Sequence, residues 1–160
     1  MRLEERLDYP ATPDVVYAMV TDKEFRDGVC AASGALSWSV EVDRTGGGAS
    51  LTVRRVMPAD LPAAARRLLG ETVEVIQTEQ WEPPRGGHRR AEVLVEIAGQ
   101  PAKMIGTATL DPTDEGSAFV LAGDVKVRIP LVGHRLEREV ARGIRLALGV
   151  EYRQGMAYLA

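Results

Sequence analysis

The stretch from Pro130 to Ala160, PLVGHRLEREVARGIRLALGVEYRQGMAYLA, limits what this chain can fold into more than any other. Wound at about 100° per residue it becomes a two-sided cylinder. Val132, Leu136, Val140, Ile144, Ala147, Val150 and Tyr158 lie on one arc, and Arg135, Arg138, Arg142, Arg145 and Arg153 lie opposite. Pro130 suits the first helical position, where its missing N–H has no intrahelical partner. The spacing therefore predicts a helix from Pro130 onward, roughly 40 Å long at ~1.5 Å per residue. Such a helix needs a whole sheet to cover its apolar arc. Gly133 and Gly143 fall on that arc. Each weakens a helix by about 1 kcal/mol relative to alanine, for which close approach to a sheet would compensate. Glu151 and Gln154 share the arc too, either solvated beyond the sheet edge or forming a wet, polar end to the groove. The arginines read as a solvated face, with Arg135–Glu139 and Glu139–Arg142 spaced for weak surface pairs.

The rest of the chain supplies the sheet. Residues 2–9 alternate, with Leu3, Glu5, Leu7 and Tyr9 on one face. Thr12 reads as a helix N-cap with Pro13 behind it, giving a short helix with Val15, Val16, Met19 and Val20 as its apolar face. Asp22 caps a second, Lys23 to Ala32, anchored by Phe25, Val29 and Cys30. Leu36, Trp38, Val40 and Val42 alternate as a strand. The glycine-rich turn that follows has neither lysine nor helix after it, so it is no phosphate loop. The next strand, Ala49 to Met57, puts Leu51, Val53 and Arg55 on one face. An inward arginine needs a carboxylate, and Glu5 or Glu79 could supply it. PADLPAAARRLLGE then offers Leu61, Ala65, Leu68 and Leu69 at helical spacing, as a packed connector or a lid.

Residues 71–82 form a strand whose inward face, Val73, Val75, Gln77, Glu79 and Trp81, turns polar partway along. Ala91, Val93, Val95 and Ile97 follow on the next strand. After it come Ala102, Met104, Gly106, Ala108 and Leu110, mostly small, which leaves room against a helix. The last strand runs from Ser117 to Ile129. The expected fold is α+β: a curved antiparallel sheet of about seven strands gripping the long C-terminal helix, two short helices after the first strand, and one domain throughout.

Composition excludes several function classes. A net charge of −3, with no basic cluster outside the helix stripe, argues against nucleic acid. One cysteine, Cys30, and two histidines, His88 and His134, leave no disulfide framework and no Cys- or His-rich metal site. The expectation is no cofactor and no metal. The charged, alternating opening MRLEERLDYP does not read as a signal peptide, and no run reaches the ~20 apolar residues of a membrane span. The cytoplasm is the expected location; the oligomeric state stays open.

The element order, the segment PATPDVVYAMVTD (Pro10 to Asp22), Trp81 closing the fourth strand, the PADLPAAARRLLG insertion and the long final helix together resemble the START-like superfamily. It is also known as the helix-grip, or polyketide cyclase/dehydrase and lipid-transport, superfamily. Within it the chain is similar to a bacterial family of unassigned function. The resemblance implies the fold and a cavity; no catalytic signature comes with it.

Three functions follow for weighing. One is binding of a small hydrophobic or amphipathic molecule in a tunnel between sheet and helix. Its lining would be Val75, Val93, Val95, Met104, Ile144 and Leu148, with Glu5, Gln77, Glu79 and Glu151 as polar members. With aromatics at 5% of residues, few bulky rings are available to fill such a space. A second is a cyclase- or dehydratase-type enzyme using the inward carboxylates Glu5, Glu79 and Glu151, with Tyr9 and Gln77 as hydrogen-bond partners. The third is a protein-interaction module without a ligand.

Overall fold

The computed structural model describes every residue except Leu61; for Ala65 and Leu69 it describes the backbone alone. In chain order the elements are β1 (Arg2–Tyr9), α1 (Pro13–Val20), α2 (Lys23–Ala32), β2 (Ser37–Thr45), β3 (Gly48–Pro58), α3 (Ala63–Leu69), β4 (Thr72–Trp81), β5 (Arg89–Ile97), β6 (Ala102–Thr113), β7 (Gly116–Val127) and α4 (Gly133–Leu159). The strands form a single seven-stranded sheet in the order β1-β7-β6-β5-β4-β3-β2, antiparallel at every pairing. The architecture is α+β and helix-grip-like, with α4 on the concave face.

Local chemistry sets the element starts. The Val15 N–H donates to Thr12 Oγ1 at 3.4 Å, and Pro13 opens α1. The Phe25 N–H donates to Asp22 Oδ2 at 3.1 Å, capping α2. One glycine pair lets two strands approach closely. Gly106 and Gly123 face each other across β6 and β7. A Cβ on Gly106 would collide with the Ala122 carbonyl, and one on Gly123 would sit 2.6 Å from the Ile105 carbonyl oxygen. The smallness of Gly106 therefore serves close contact within the sheet and opens no space beneath the helix.

The two ends of the grip are filled differently. At one end α1 and α2 plug it: Val16, Met19, Val20, Phe25 and Val29 join Leu3, Tyr9, Met104, Leu110 and Phe119 from the sheet and Ala141 and Leu148 from α4 in one buried cluster. Each such large side chain contributes about 1.5–3 kcal/mol of burial. Toward the other end only a small cluster, Ala102, Val127 and Leu136, closes helix onto sheet. Helix α4 rests there on β7 and stands away from β3, β4 and β5.

Several expectations need correction. The final helix starts at Gly133 rather than Pro130, because Leu131 adopts a left-handed conformation (φ 72°) and breaks the run. Gly133 then comes so near β7 that a Cβ would sit 2.5 Å from the Val127 carbonyl oxygen, the close approach expected of it. Gly143 does the opposite: a Cβ there would meet nothing within 4 Å. On β2, only Val40 of the apolar face is fully buried. Trp38 is 40% exposed, since β2 is an edge strand that α2 covers only in part, and its indole N–H donates to Asp27 Oδ1 at 3.2 Å. Of the apolar face expected on α3, Leu68 is 53% exposed; Leu61 and the side chains of Ala65 and Leu69 lie outside the described residues. Arg142 pairs with Glu139 at 3.2 Å as expected; among the described residues Arg135 makes no such pair.

Candidate functional site: an apolar cavity beside a buried charge cluster

Where α4 stands off the sheet it leaves a cavity of about 390 Å³. Its wall is apolar: Val73 and Val75 from β4, Val95 and Ile97 from β5, and Val140, Ile144, Ala147 and Val150 from α4. Gly143 explains itself here, since it faces this open space. The exposed wall residues Gly34, Pro58, Asp60, Arg142, Gly143 and Leu146 mark where the cavity meets solvent. Arg142 Nη2 donates to the Asp60 carbonyl oxygen at 3.1 Å and so ties α4 to the segment after β3. A second, smaller cavity of about 40 Å³ continues inward, sharing Arg55, Val95, Ile144 and Ala147 with the first.

The smaller cavity has a polar side because a charge cluster borders it. Arg26 Nη2 donates to Glu79 Oε1 at 3.0 Å and Oε2 at 3.3 Å, while Arg26 Nε donates to the Val20 carbonyl at 2.6 Å. Glu79 also accepts from Gln77 Nε2 at 2.6 Å and from the Trp81 indole N–H at 2.7 Å, which saturates both oxygens. Glu151, equally buried, has one ionic contact, 3.4 Å from Arg26 Nη1. The electrostatics differ accordingly. Burial opposes the charge on Arg26, but Glu151 and Glu79 outweigh it and hold the guanidinium above its ordinary value. Burial, with Glu79 adding to it, lifts the Glu151 carboxyl above the usual carboxylate range against the pull of Arg26 and Arg55. A carboxyl of that kind can keep its proton and donate a hydrogen bond into the cavity. Tyr9, whose phenol is also pushed up by burial and by Glu151, has a hydroxyl with no hydrogen-bond partner among the described residues.

The residues anticipated as a site divide by position. Val75, Val95 and Ile144 line the larger cavity. Gln77, Glu79, Val93, Leu148 and Glu151 border the smaller one, again with Val95 and Ile144. Met104 lines neither. It is fully buried in the cluster that holds Val125, Ala141 and Leu148, where α4 lies directly on the sheet. Glu5 lines neither as well, because at the rim of the fold it pairs with Arg145 Nε at 2.5 Å. Glu151 is buried, not solvated beyond a sheet edge.

Arg26 was not anticipated. The signal was present: it precedes Val29 and Cys30 by three and four residues, on the apolar face of α2, where a cation needs a buried carboxylate. Arg55 does face inward as expected. Neither carboxylate expected for it is available, because Glu79 serves Arg26 and Glu5 serves Arg145. Cys30 is buried, and burial raises its thiol despite the neighbouring Arg55 and Arg26. His88 pairs with Asp111 at 2.6 Å in a turn, and His134 is exposed. Among the described residues no three His, Cys, Asp or Glu gather to hold a metal ion, and no helix is long and apolar enough to cross a membrane.

Comparison with known proteins places this geometry. Uncharacterized proteins of Mycobacterium tuberculosis and Mycobacterium bovis are 30% identical over 105 residues, which is 64% of this chain. The match spans 60% of the length of those relatives. Among solved structures, the Zhui aromatase/cyclase from Streptomyces superposes with a TM-score of 0.67 at 15% identity, over 100% of this chain and 96% of that one. TTHA0849 from Thermus thermophilus superposes with a TM-score of 0.63 at 22% identity, over 99% and 98%. These likenesses show the fold alone, a polyketide cyclase-like one. Residues 4–159 match the family model described as a protein of unknown function, DUF2505, and the chain belongs to that family.

Proposed function

We propose that the protein binds a small hydrophobic or amphipathic molecule in the cavity between the sheet and α4. The observation that carries this reading is the cavity itself. Its volume, about 390 Å³, falls within the roughly 300–1,000 Å³ of ligand pockets, and it opens to solvent along one side. Apolar walls of that extent, left unfilled, forgo the dispersion contacts a packed core would have, so an apolar guest gains them. Titration with the neutral fluorescent probe N-phenylnaphthylamine tests it. Saturable binding is expected, weakened at least tenfold by Ala147→Trp, which fills space shared by both cavities. Absence of saturable binding, or equal binding by Ala147→Trp, contradicts the reading.

A second reading, acid–base catalysis in the same space, is favoured by one observation: Glu151 is a buried carboxyl with a raised pKa at the wall of the inner cavity. The likeness to the Zhui aromatase/cyclase is compatible with it. Under this reading the wild type accelerates hydrogen–deuterium exchange at the central carbon of acetylacetone. Glu151→Gln then abolishes the acceleration while leaving probe binding intact. No acceleration over buffer removes this reading and leaves the first untouched.

A further inference from the structure

Two arginines face the interior beside the cavities, Arg26 and Arg55, and two buried carboxylates lie near them, Glu79 and Glu151. Both carboxylates converge on Arg26. Arg55 receives neither: among the described residues no carboxylate oxygen lies within 4.0 Å of its guanidinium, whose polar neighbour is the neutral Cys30 thiol. Arg55 stands on β3 between Trp38 of β2 and Val75 of β4, in phase with Leu51 and Val53, and its side chain reaches Cys30, one turn beyond Arg26 on α2. It borders both cavities and stands where the larger one passes into the smaller one beside the charge cluster. The other charged groups along the apolar cavity, Asp60, Glu139 and Arg142, are at the solvent side, where Arg142 is already engaged by Glu139 and the Asp60 carbonyl.

A partly buried guanidinium without a counter-ion is an expensive arrangement unless something else satisfies it. Burial pulls Arg55 below the usual arginine range. Cys30 and Glu151 offset that only partly, and Arg26 adds to it. We infer that the cavity's occupant is an amphiphile with a single carboxylate, whose apolar chain lies against Val75, Val95, Ile144 and Val150 and whose head pairs with Arg55. This rests on the ligand-binding reading above and specifies its ligand class. A carboxylate matches the planar fork of a guanidinium with two parallel hydrogen bonds. A single negative charge matches the one cation on the cavity walls that has no carboxylate partner among the described residues, since Glu79 and Glu151 at the inner end repel more.

The test compares n-dodecanoate with n-dodecanol, both below their aggregation concentrations, by displacement of N-phenylnaphthylamine from wild type, Arg55→Met and Arg55→Lys. The wild type should prefer the carboxylate at least about tenfold, the equivalent of about 1.4 kcal/mol. Arg55→Met should lose that preference and keep the alcohol's affinity within about twofold, with no loss of thermal stability. Arg55→Lys should keep part of the preference. Equal affinities in the wild type, or a preference that survives Arg55→Met, overturns the inference while leaving cavity binding intact. If Arg55→Met fails to fold, Arg55 is a structural counter-charge and the inference falls unless Arg55→Lys retains the carboxylate preference. Binding of neither probe overturns the cavity reading and this one with it.

Discussion

Replacing Arg26 by methionine should be among the most damaging single changes in this protein, and its cost should depend on pH in a specific way. The substitution keeps most of the side-chain volume and removes every charge-assisted bond Arg26 makes: two to Glu79, one ionic contact to Glu151 and one donated to the Val20 carbonyl. Glu79 and Glu151 then face each other across the inner cavity without a cation between them. Breaking a buried pair by removing one partner typically costs about 3–5 kcal/mol. An independent route gives a similar figure. A buried carboxylate deprived of its partner can escape its charge by taking up a proton. At pH 7, from an ordinary value near 4.3, that costs about 3.7 kcal/mol at about 1.4 kcal/mol per unit. At about pH 5 the same escape costs only about 1 kcal/mol. The mutant's native state thus binds protons that its unfolded state does not, so its stability recovers relative to wild type as pH falls. Urea denaturation of both proteins at pH 7 and at about pH 5 measures this. We expect a loss of about 3–5 kcal/mol at pH 7, shrinking by half or more at about pH 5. A loss under about 1 kcal/mol at pH 7, or the same loss at both values, refutes the assignment of Arg26 as the charge that holds two buried carboxylates.

Three further outcomes follow from the geometry. Gly143→Ala meets open space within the helix and should stabilise by roughly 0.5–1 kcal/mol, whereas Gly133→Ala places its methyl against the Val127 carbonyl and should destabilise; thermal melts showing both changes with the same sign contradict the placement of α4. Glu151 carries a raised folded pKa, so its contribution to stability is fully present below its unfolded value, about 4.5, and is lost as pH rises through the folded one. Glu151→Gln should therefore gain on the wild type progressively from about pH 4.5 upward, and a flat difference in urea midpoints across that range argues against it. The buried Cys30 thiol, held protonated by burial, should resist a disulfide reagent in the native protein and react stoichiometrically in denaturant; rapid native labelling contradicts its burial.

Much of the architecture is legible from the residues because each element has a single dominant period. The strand from residue 71 to 82 shows this: alternation alone puts Val75, Gln77, Glu79 and Trp81 on one face, and these residues do reach the interior together. The apolar arc of the last helix likewise supplies Val140, Ile144, Ala147 and Val150 to one cavity wall. What periodicity cannot convey is which inward charges meet. Glu79 is far from both Arg26 and Arg55 in sequence, and only the packing of α2 against the open end of the sheet decides that Arg26 takes it. The role of Gly106 was hidden for a related reason. A small residue on an inward face reads the same whether it makes room for a helix or lets two strands close on each other, and here the second holds. The left-handed Leu131 that delays α4 leaves no trace in a hydrophobic pattern.

The central claim is that the space between α4 and strands β3 to β5 receives a guest. Nuclear Overhauser contacts between n-dodecanoate and the protein's methyl groups test it most directly. The account predicts saturable cross-peaks from the chain to Val75, Val95, Ile144 and Val150. Cross-peaks confined to exposed side chains such as Leu131 and Leu36, or none at saturating ligand, contradict it.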